Sequence, residues 1–403
     1  MLSLQIQKKS AMNTTFGDKK ILQQKNRLFF FCVILLATIF QSCKPPNPPP
    51  DFKATPYNFD VPPYFPTNLN IEEDNPLTEE GVELGRYLFY DGRLRGYTGN
   101  DPDSLMSCAT CHIQQHGFKC GIDNPRFPDG KTTGVTGIPT PHNMMPLCNL
   151  IFNHNGYFWN GTIHKNNPNS RQRTLEDVVY MGVVAPHEMN STMERCVKTI
   201  ASISLYPPKF KAAFGTEEVT AERIQKAIGQ FIRTLVSYNS KFDKYLRKEL
   251  QLSAEELQGY ILFITEEGAD CFHCHGGDGN PLMTSNLFYN NGLDTVFTDT
   301  RDRFSVTFNP NDKGAYRAPS LRNIEVTAPY MHDGRFKTLD EVIDFYSEGV
   351  KSSPSVSPLM HKVSQGGAML TPLQKRQLKA FLLTLTDEEF LTNPKFAKPK
   401  DLP

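Results

Sequence analysis

Apolar residues recur at helical spacing in several well-separated stretches. Behind Thr78-Glu79-Glu80, residues Leu84, Leu88 and Phe89 fall on one face of a predicted helix. Residues 219–236 place Ile224, Ala227, Ile228, Phe231, Ile232 and Leu235 at the spacing of a buried helical face. Ser253-Ala254-Glu255-Glu256 is a capping box, followed by Leu257, Tyr260, Ile261 and Ile264 on one face. Thr338-Leu339-Asp340-Glu341 is another, and Leu339, Val342, Ile343 and Tyr346 then fall at i, i+3, i+4 and i+7. Thr371-Pro372 opens a last helix with Leu378, Phe381, Leu382 and Leu385 inward. Strand-type alternation is scarce, so the pattern predicts an all-α protein with long loops. Residues 121–142, rich in Gly, Pro, Asn and Thr, are one such loop, and long ordered loops tend to carry function.

The N-terminus follows a different pattern. Residues 1–27 carry Lys8, Lys9, Lys19, Lys20, Lys25 and Arg27, and residues 28–40 are free of charge. A basic segment before an apolar core too short to span a bilayer stably is a signal peptide. Cys43 at the expected cleavage point resembles the lipidated cysteine of a bacterial lipoprotein; the alternative is an ordinary signal peptide with an incidental cysteine. The expected organisation is a signal peptide over 1–42 and a Pro-rich, extended tether over 43–61 that would lift the protein off a membrane. Two globular domains follow, over 62–252 and 253–403.

Composition narrows the picture. Aromatic residues make up 11% of the chain, with 28 Phe against one Trp, as in a globular protein. Formal charge is zero; removing residues 1–42 takes away six basic residues and one acidic, leaving 37 against 42. That balance excludes nucleic acid as the expected partner. Of nine cysteines, Cys32 and Cys43 belong to the leader and four form two copies of C-x-x-C-H: Cys108-Ala109-Thr110-Cys111-His112 and Cys271-Phe272-His273-Cys274-His275. Two thiols one turn apart can each bond a vinyl group of one porphyrin, and the next histidine offers its imidazole to the iron. A zinc site or a redox C-x-x-C is the weaker alternative, because histidine follows the second cysteine both times. A predicted helix precedes each motif, so the chain is duplicated at the level of motif, with one covalent haem c expected per domain. Cys120, Cys148 and Cys196 remain, either as a disulfide pair with one over or as packed thiols.

Further motifs extend the assignment. Leu84-Gly85-Arg86-Tyr87-Leu88-Phe89-Tyr90-Asp91, Phe158-Trp159-Asn160-Gly161, Pro186-His187-Glu188-Met189, Arg317-Ala318-Pro319-Ser320-Leu321-Arg322-Asn323 and Thr327-Ala328-Pro329-Tyr330-Met331-His332-Asp333-Gly334 stand in order around the two haem motifs. Over most of residues 76–390 the chain resembles the bacterial dihaem cytochrome c peroxidases and their relatives, the dihaem enzymes that mature methylamine dehydrogenase. The resemblance implies a peroxide-reacting first haem on His112 and an electron-transfer second haem on His275. It implies that Glu188 is the distal acid–base group and that Trp159 relays electrons between the haems, with Asn160 in place of the family's aspartate. Where the family often has a glutamine ten residues before the glutamate, this chain has Val178, so peroxide positioning is either poorer or supplied by His187. Of the histidines in the loop after the first motif, His116 and His142 are the candidates for a blocking ligand; the first haem is expected to be open. The sixth ligand of the second haem falls on Tyr346, as in the maturation enzyme, where peroxidases have methionine; Met331 and Met360 are the alternatives. A phenolate would stabilise oxidised iron and methionine reduced iron. The resemblance also implies a Ca2+ held by Asn143 and the carbonyl oxygens of Thr327 and Pro329.

The function so implied is that of an exported, lipid-anchored enzyme reducing hydrogen peroxide to water with electrons from a small donor protein, a cytochrome c or cupredoxin. Two alternatives stay open: an oxidase of the maturation type acting on a protein or organic substrate through a His/Tyr second haem, and a dihaem electron carrier with no enzymatic role. Similar proteins are often homodimers.

Overall fold

The computed structural model describes residues 52–60, 62–96, 105–127 and 130–403. The expected signal peptide, Cys43 and the first part of the tether lie outside the described residues. Among those described, helix dominates: α1 (Glu79–Tyr90), α2 (Leu175–Val184), α3 (Met193–Ser202), α4 (Tyr206–Phe214), α5 (Ala221–Thr234), α6 (Lys241–Leu246), α7 (Ala254–Ile264), α8 (Phe272–His275), α9 (Phe304–Thr307), α10 (Leu339–Asp344), α11 (Pro372–Leu383) and α12 (Glu388–Thr392). The only sheet there pairs Phe288–Tyr289 with Tyr316–Arg317, antiparallel. No described helix is long and apolar enough to cross a membrane.

The caps that the sequence announces are built. Thr78, Ser253, Thr338 and Thr371 each accept from a first-turn N–H of their helix, satisfying donors with no intrahelical partner. The apolar faces of α1 and α5 are buried as expected, Leu84, Leu88, Phe89, Ile224, Ile228 and Phe231 completely. α7 departs from expectation. Ile261, read as inward, is 41% exposed, while Tyr260 and Phe263 are buried.

The reason is a close helix crossing. A Cβ on Gly259 would lie 1.9 Å from the Gln377 carbonyl oxygen and 2.8 Å from Phe381 Cβ on α11. Only glycine lets the two backbones approach so closely, and that contact sets the rotation of α7. The same device stands earlier in the chain. A Cβ on Gly85 of α1 would lie 1.9 Å from the Ala227 carbonyl oxygen and 2.9 Å from Phe231 Cβ on α5. In both places a helix leading to a C-x-x-C-H motif presents its glycine to a carbonyl and to the phenylalanine four residues on.

Two main cores result. One gathers α1 to α5 with Cys111, Phe118 and Cys196; the other gathers α6, α7 and α11 with Ile343 and Met283. The tail crosses back: Phe390, Leu391, Phe396 and Leu402 belong to the first core. Residues 52–60, expected as tether, are docked. Thr55 bonds Glu80 through both its backbone N–H and its hydroxyl, and Tyr57 and Phe59 pack with Phe65, Phe152 and Leu282. Two ion pairs are buried: Arg233 with Glu176, and Arg322 bidentate on Asp243. Cys120, Cys148 and Cys196 are all free and buried, so no pair of them is bridged.

Candidate active site

Each C-x-x-C-H motif opens onto a cavity. The first motif begins as a 3-10 turn, Cys108–Thr110, with the His112 N–H bonded to the Cys108 carbonyl at 2.9 Å. Cys108, Cys111 and His112 line a cavity of about 470 Å3. His112 Nδ1 lies 2.7 Å from the Phe118 carbonyl oxygen. A carbonyl can only accept, so Nδ1 carries the hydrogen and the lone pair is on Nε2. Burial pushes this imidazole down to about 4, which keeps it neutral, as a ligand must be.

Glu188 lines the same cavity, in the turn after α2. The long loop expected to be functional is pinned against it: the Val135 N–H donates to the Glu188 carbonyl at 3.3 Å, and a Cβ on Gly134 would lie 1.7 Å from that oxygen. The carboxyl rests against Gly182, with His187 Nε2 3.8 Å away. Burial pushes it up to about 7. Val178 is in the cavity wall, where an amide could have reached inward. His142 also lines the cavity, but its Nε2 is turned to Asp299. His116 is absent from the cavity's lining residues; its ring packs against Gly121.

The second motif lies on the short helix α8. Cys271, Cys274 and His275 line a cavity of about 200 Å3. His275 Nδ1 faces the Pro319 carbonyl oxygen at 3.1 Å, again leaving Nε2 free, and burial pushes the imidazole down to about 4. The predicted inward face, Leu339, Val342, Ile343 and Tyr346, forms part of the wall. α10 passes into a single π-helical turn, Phe345–Gly349, a distortion frequent at functional sites. Asn291 Nδ2 donates to the Tyr346 hydroxyl at 2.9 Å, and burial pushes that phenol's pKa up. Met331 and Met360 line the cavity too, so all three sixth-ligand candidates converge there.

Trp159 and Arg317 line both cavities. Trp159 Nε1 donates to the Asn143 carbonyl at 2.7 Å. The buried Arg317 guanidinium donates to amide and carbonyl oxygens of Asn153, Asn155, Gly156, Phe158 and Asn286. Burial pushes it down to about 9, so it stays cationic at neutral pH. Beside them, Asp299 accepts from Tyr316 at 2.8 Å, and the Tyr316 ring stacks on His332 at 3.7 Å.

The residues expected to hold Ca2+ do not fit it. Lys119, 3% exposed, donates from Nζ to the Thr327 and Pro329 carbonyls at 2.6 and 2.5 Å. Asn143 turns its amide nitrogen, not its oxygen, towards the Pro329 and Met331 carbonyls. The Lys119 amine, pushed down to about 7 by burial, occupies the place of the ion and takes up the two carbonyls a Ca2+ would need.

For a porphyrin the fit is good. Each cavity offers two unbridged thiols and a neutral imidazole whose second nitrogen is fixed by a carbonyl, with largely apolar walls. Sequence reasoning assigned no role to Lys119, Arg317, Asp299 or Asn291. Arg317 stood inside a recognised motif; the others carried no signal, because lysine, aspartate and asparagine are ordinarily surface residues.

Residues 79–251 match the family of di-haem cytochrome c peroxidases. The chain is 32% identical over 325 residues to the methylamine utilization protein MauG of Methylorubrum extorquens, spanning 80% of this chain and 83% of that protein. It is 34% identical over 279 residues to cytochrome c551 peroxidase of Nitrosomonas europaea, spanning 68% and 75%. Among solved structures, that of a MauG-like protein associated with microbial copper homeostasis superposes with a TM-score of 0.73 at 34% identity, over 85% of this chain and 99% of that one.

Proposed function

The chain belongs to the di-haem cytochrome c peroxidase family, and from that premise we propose that it reduces hydrogen peroxide to water with electrons from a small redox protein, a cytochrome c or cupredoxin. In this reading residues 62–252 and 253–403 are two cytochrome c halves. One haem is attached through Cys108 and Cys111 with His112 as iron ligand, the other through Cys271 and Cys274 with His275. Bound in the first cavity, haem supplies the iron at which the O–O bond is cleaved. Glu188, as carboxylate, takes the proton of one peroxide oxygen and delivers it to the other, which leaves as water. Two electrons and two protons complete the second water. Trp159, lining both cavities, is the relay between the halves. The chain is exported and held to a membrane through Cys43.

The observation that carries this reading is Glu188: a half-buried carboxyl, raised to about 7, in the wall of the larger thiol-lined cavity. A pure electron carrier has no use for it. The test is the ferric spectrum of the haem-loaded chain, with and without peroxide, and the turnover of reduced cytochrome c. A high-spin component that reacts with peroxide, with steady donor oxidation, is expected. Two low-spin haems inert to peroxide would overturn it.

A second reading, an oxidase acting on a protein or organic substrate, is favoured by Tyr346. A phenolate ligand holds oxidised iron, so a His/Tyr second haem would accept electrons reluctantly and could hold an oxidising equivalent instead. Peroxide reactivity without turnover of any small donor would move the assignment there.

A further inference from the structure

A cluster of metal-ligating side chains stands outside both thiol-lined sites. We propose that Glu266, His273 and His361, backed by Asp270, bind a divalent transition-metal ion, Zn2+ or Cu2+, at the rim of the second cavity. One ligand atom from each of the first three lies within 4.8 Å of the other two. Bonds of about 2.0–2.1 Å around a tetrahedral ion need ligand atoms roughly 3.4 Å apart. His273 Nε2 and Glu266 Oε1 are already at 3.7 Å, and the His273 and His361 rings meet edge to face at 4.8 Å between centroids.

The support behind these groups is that of a metal site. Asp270 is held at φ +57, a left-handed conformation that aspartate tolerates, and its carboxylate is 8% exposed. Its Oδ1 lies 2.6 Å from His273 Nδ1 and its Oδ2 3.5 Å from His361 Nδ1. A carboxylate on Nδ1 places the hydrogen there and leaves the His273 Nε2 lone pair facing Glu266, the outer-shell arrangement that orients ligating histidines. Lys362 Nζ donates to the Gly268 carbonyl at 2.6 Å and so ties the segment bearing His361 to the turn bearing Glu266 and Asp270. Two imidazoles with a carboxylate select zinc or copper over calcium or magnesium. The first C-x-x-C-H motif has Thr110 where the second has His273, so the site belongs to the second half alone. Asp270 and His361 also line the second cavity, which puts a bound ion beside the groups that would attach the second haem.

Titration of the full haem-loaded chain with Cu2+ or Zn2+, read by copper EPR and by metal content, tests this. One ion per chain is expected, with the copper signal split by two imidazole nitrogens. His361→Ala and Glu266→Gln should each weaken binding at least tenfold, and Asp270→Asn by 10–100-fold, the usual outer-shell effect. His361 and Glu266 are exposed, so both variants keep the core, and an unchanged haem spectrum verifies it. His154→Ala with His164→Ala, at another surface pair, should change nothing. Absence of stoichiometric binding, or equal affinity in the His361→Ala and Glu266→Gln variants, would overturn the proposal.

Discussion

Glu188→Gln separates proton transfer from every other contribution of the first cavity. The change is isosteric, and it orphans no close partner among the described residues: His187 Nε2 stands 3.8 Å away, on an imidazole whose pKa burial pushes down. Burial alone raises the carboxyl to about 7. A group titrating there is about one-tenth ionised at pH 6 and nine-tenths at pH 8, whereas a glutamate at about 4.3 would be ionised throughout. Only the carboxylate can take a proton from peroxide. The second-order rate of the ferric haem-loaded protein with peroxide should therefore rise about tenfold from pH 6 to pH 8. In Glu188→Gln the rate should fall by about 10²–10⁴, the usual worth of a positioned acid–base group, and lose its inflection. The stability sign is the opposite. A carboxyl whose folded pKa is raised holds its proton more tightly than the unfolded chain does, so the native state loses stability as pH climbs from the unfolded value through 7. The variant should match wild type in thermal stability near pH 4 and exceed it at pH 8. Stopped-flow mixing with peroxide between pH 5.5 and 8.5 reads the first effect and melting curves the second. A flat wild-type profile, or a variant within threefold of wild type, refutes proton transfer by Glu188.

Chelators should leave wild-type melting and spectra unchanged, because Lys119 Nζ already occupies the Thr327 and Pro329 carbonyls. Lys119→Ala strips the Thr327 carbonyl of its donor, at about 1–3 kcal/mol, and leaves the Pro329 carbonyl to Asn143 Nδ2 alone; the variant should gain a melting temperature that rises with added Ca2+, and wild-type loss of structure in a chelator would refute the replacement of the ion by Lys119. Tyr346→Met should raise the potential of the second haem and add a methionine-type charge-transfer band at the red edge; an unchanged spectrum rejects Tyr346 as the sixth ligand. Gly259→Ala forces α7 away from the Gln377 carbonyl and should cost at least the 1–3 kcal/mol of an overpacked core in thermal melts, with Gly85→Ala its counterpart in the first half.

The helices were legible because burying one face imposes a period on the chain. The period holds for α1, α5 and α11, whose inward residues are apolar. It misleads on α7, where it turns Ile261 inward and leaves Phe263 out. The rotation of α7 is set by Gly259, and a residue without a side chain contributes nothing to a hydrophobic pattern. The two C-x-x-C-H motifs were legible for a different reason: covalent attachment needs its groups within one turn, so the whole signature is local.

Groups that act across the fold have no such constraint. Lys119 bonds carbonyls about two hundred residues away, and any residue type could have supplied those carbonyls. Arg317 likewise meets mostly backbone oxygens, so no complementary acidic partner marks it in the chain. His273 was hidden inside a motif that assigns it no role, and its partners Asp270 and His361 stand far apart in the chain. The common cause is geometric. Both halves spend their helices on the glycine-mediated crossings of α1 with α5 and α7 with α11, and those crossings leave the cavities to be walled largely by loops. Chemistry therefore sits where periodicity is silent, and it is held there by backbone carbonyls: Phe118 for His112, Pro319 for His275, Thr327 and Pro329 for Lys119. The orientation of both haem-site imidazoles therefore depends on the path of the loop backbone, and at Phe118, fully buried in the first core, the side chain helps to hold that path.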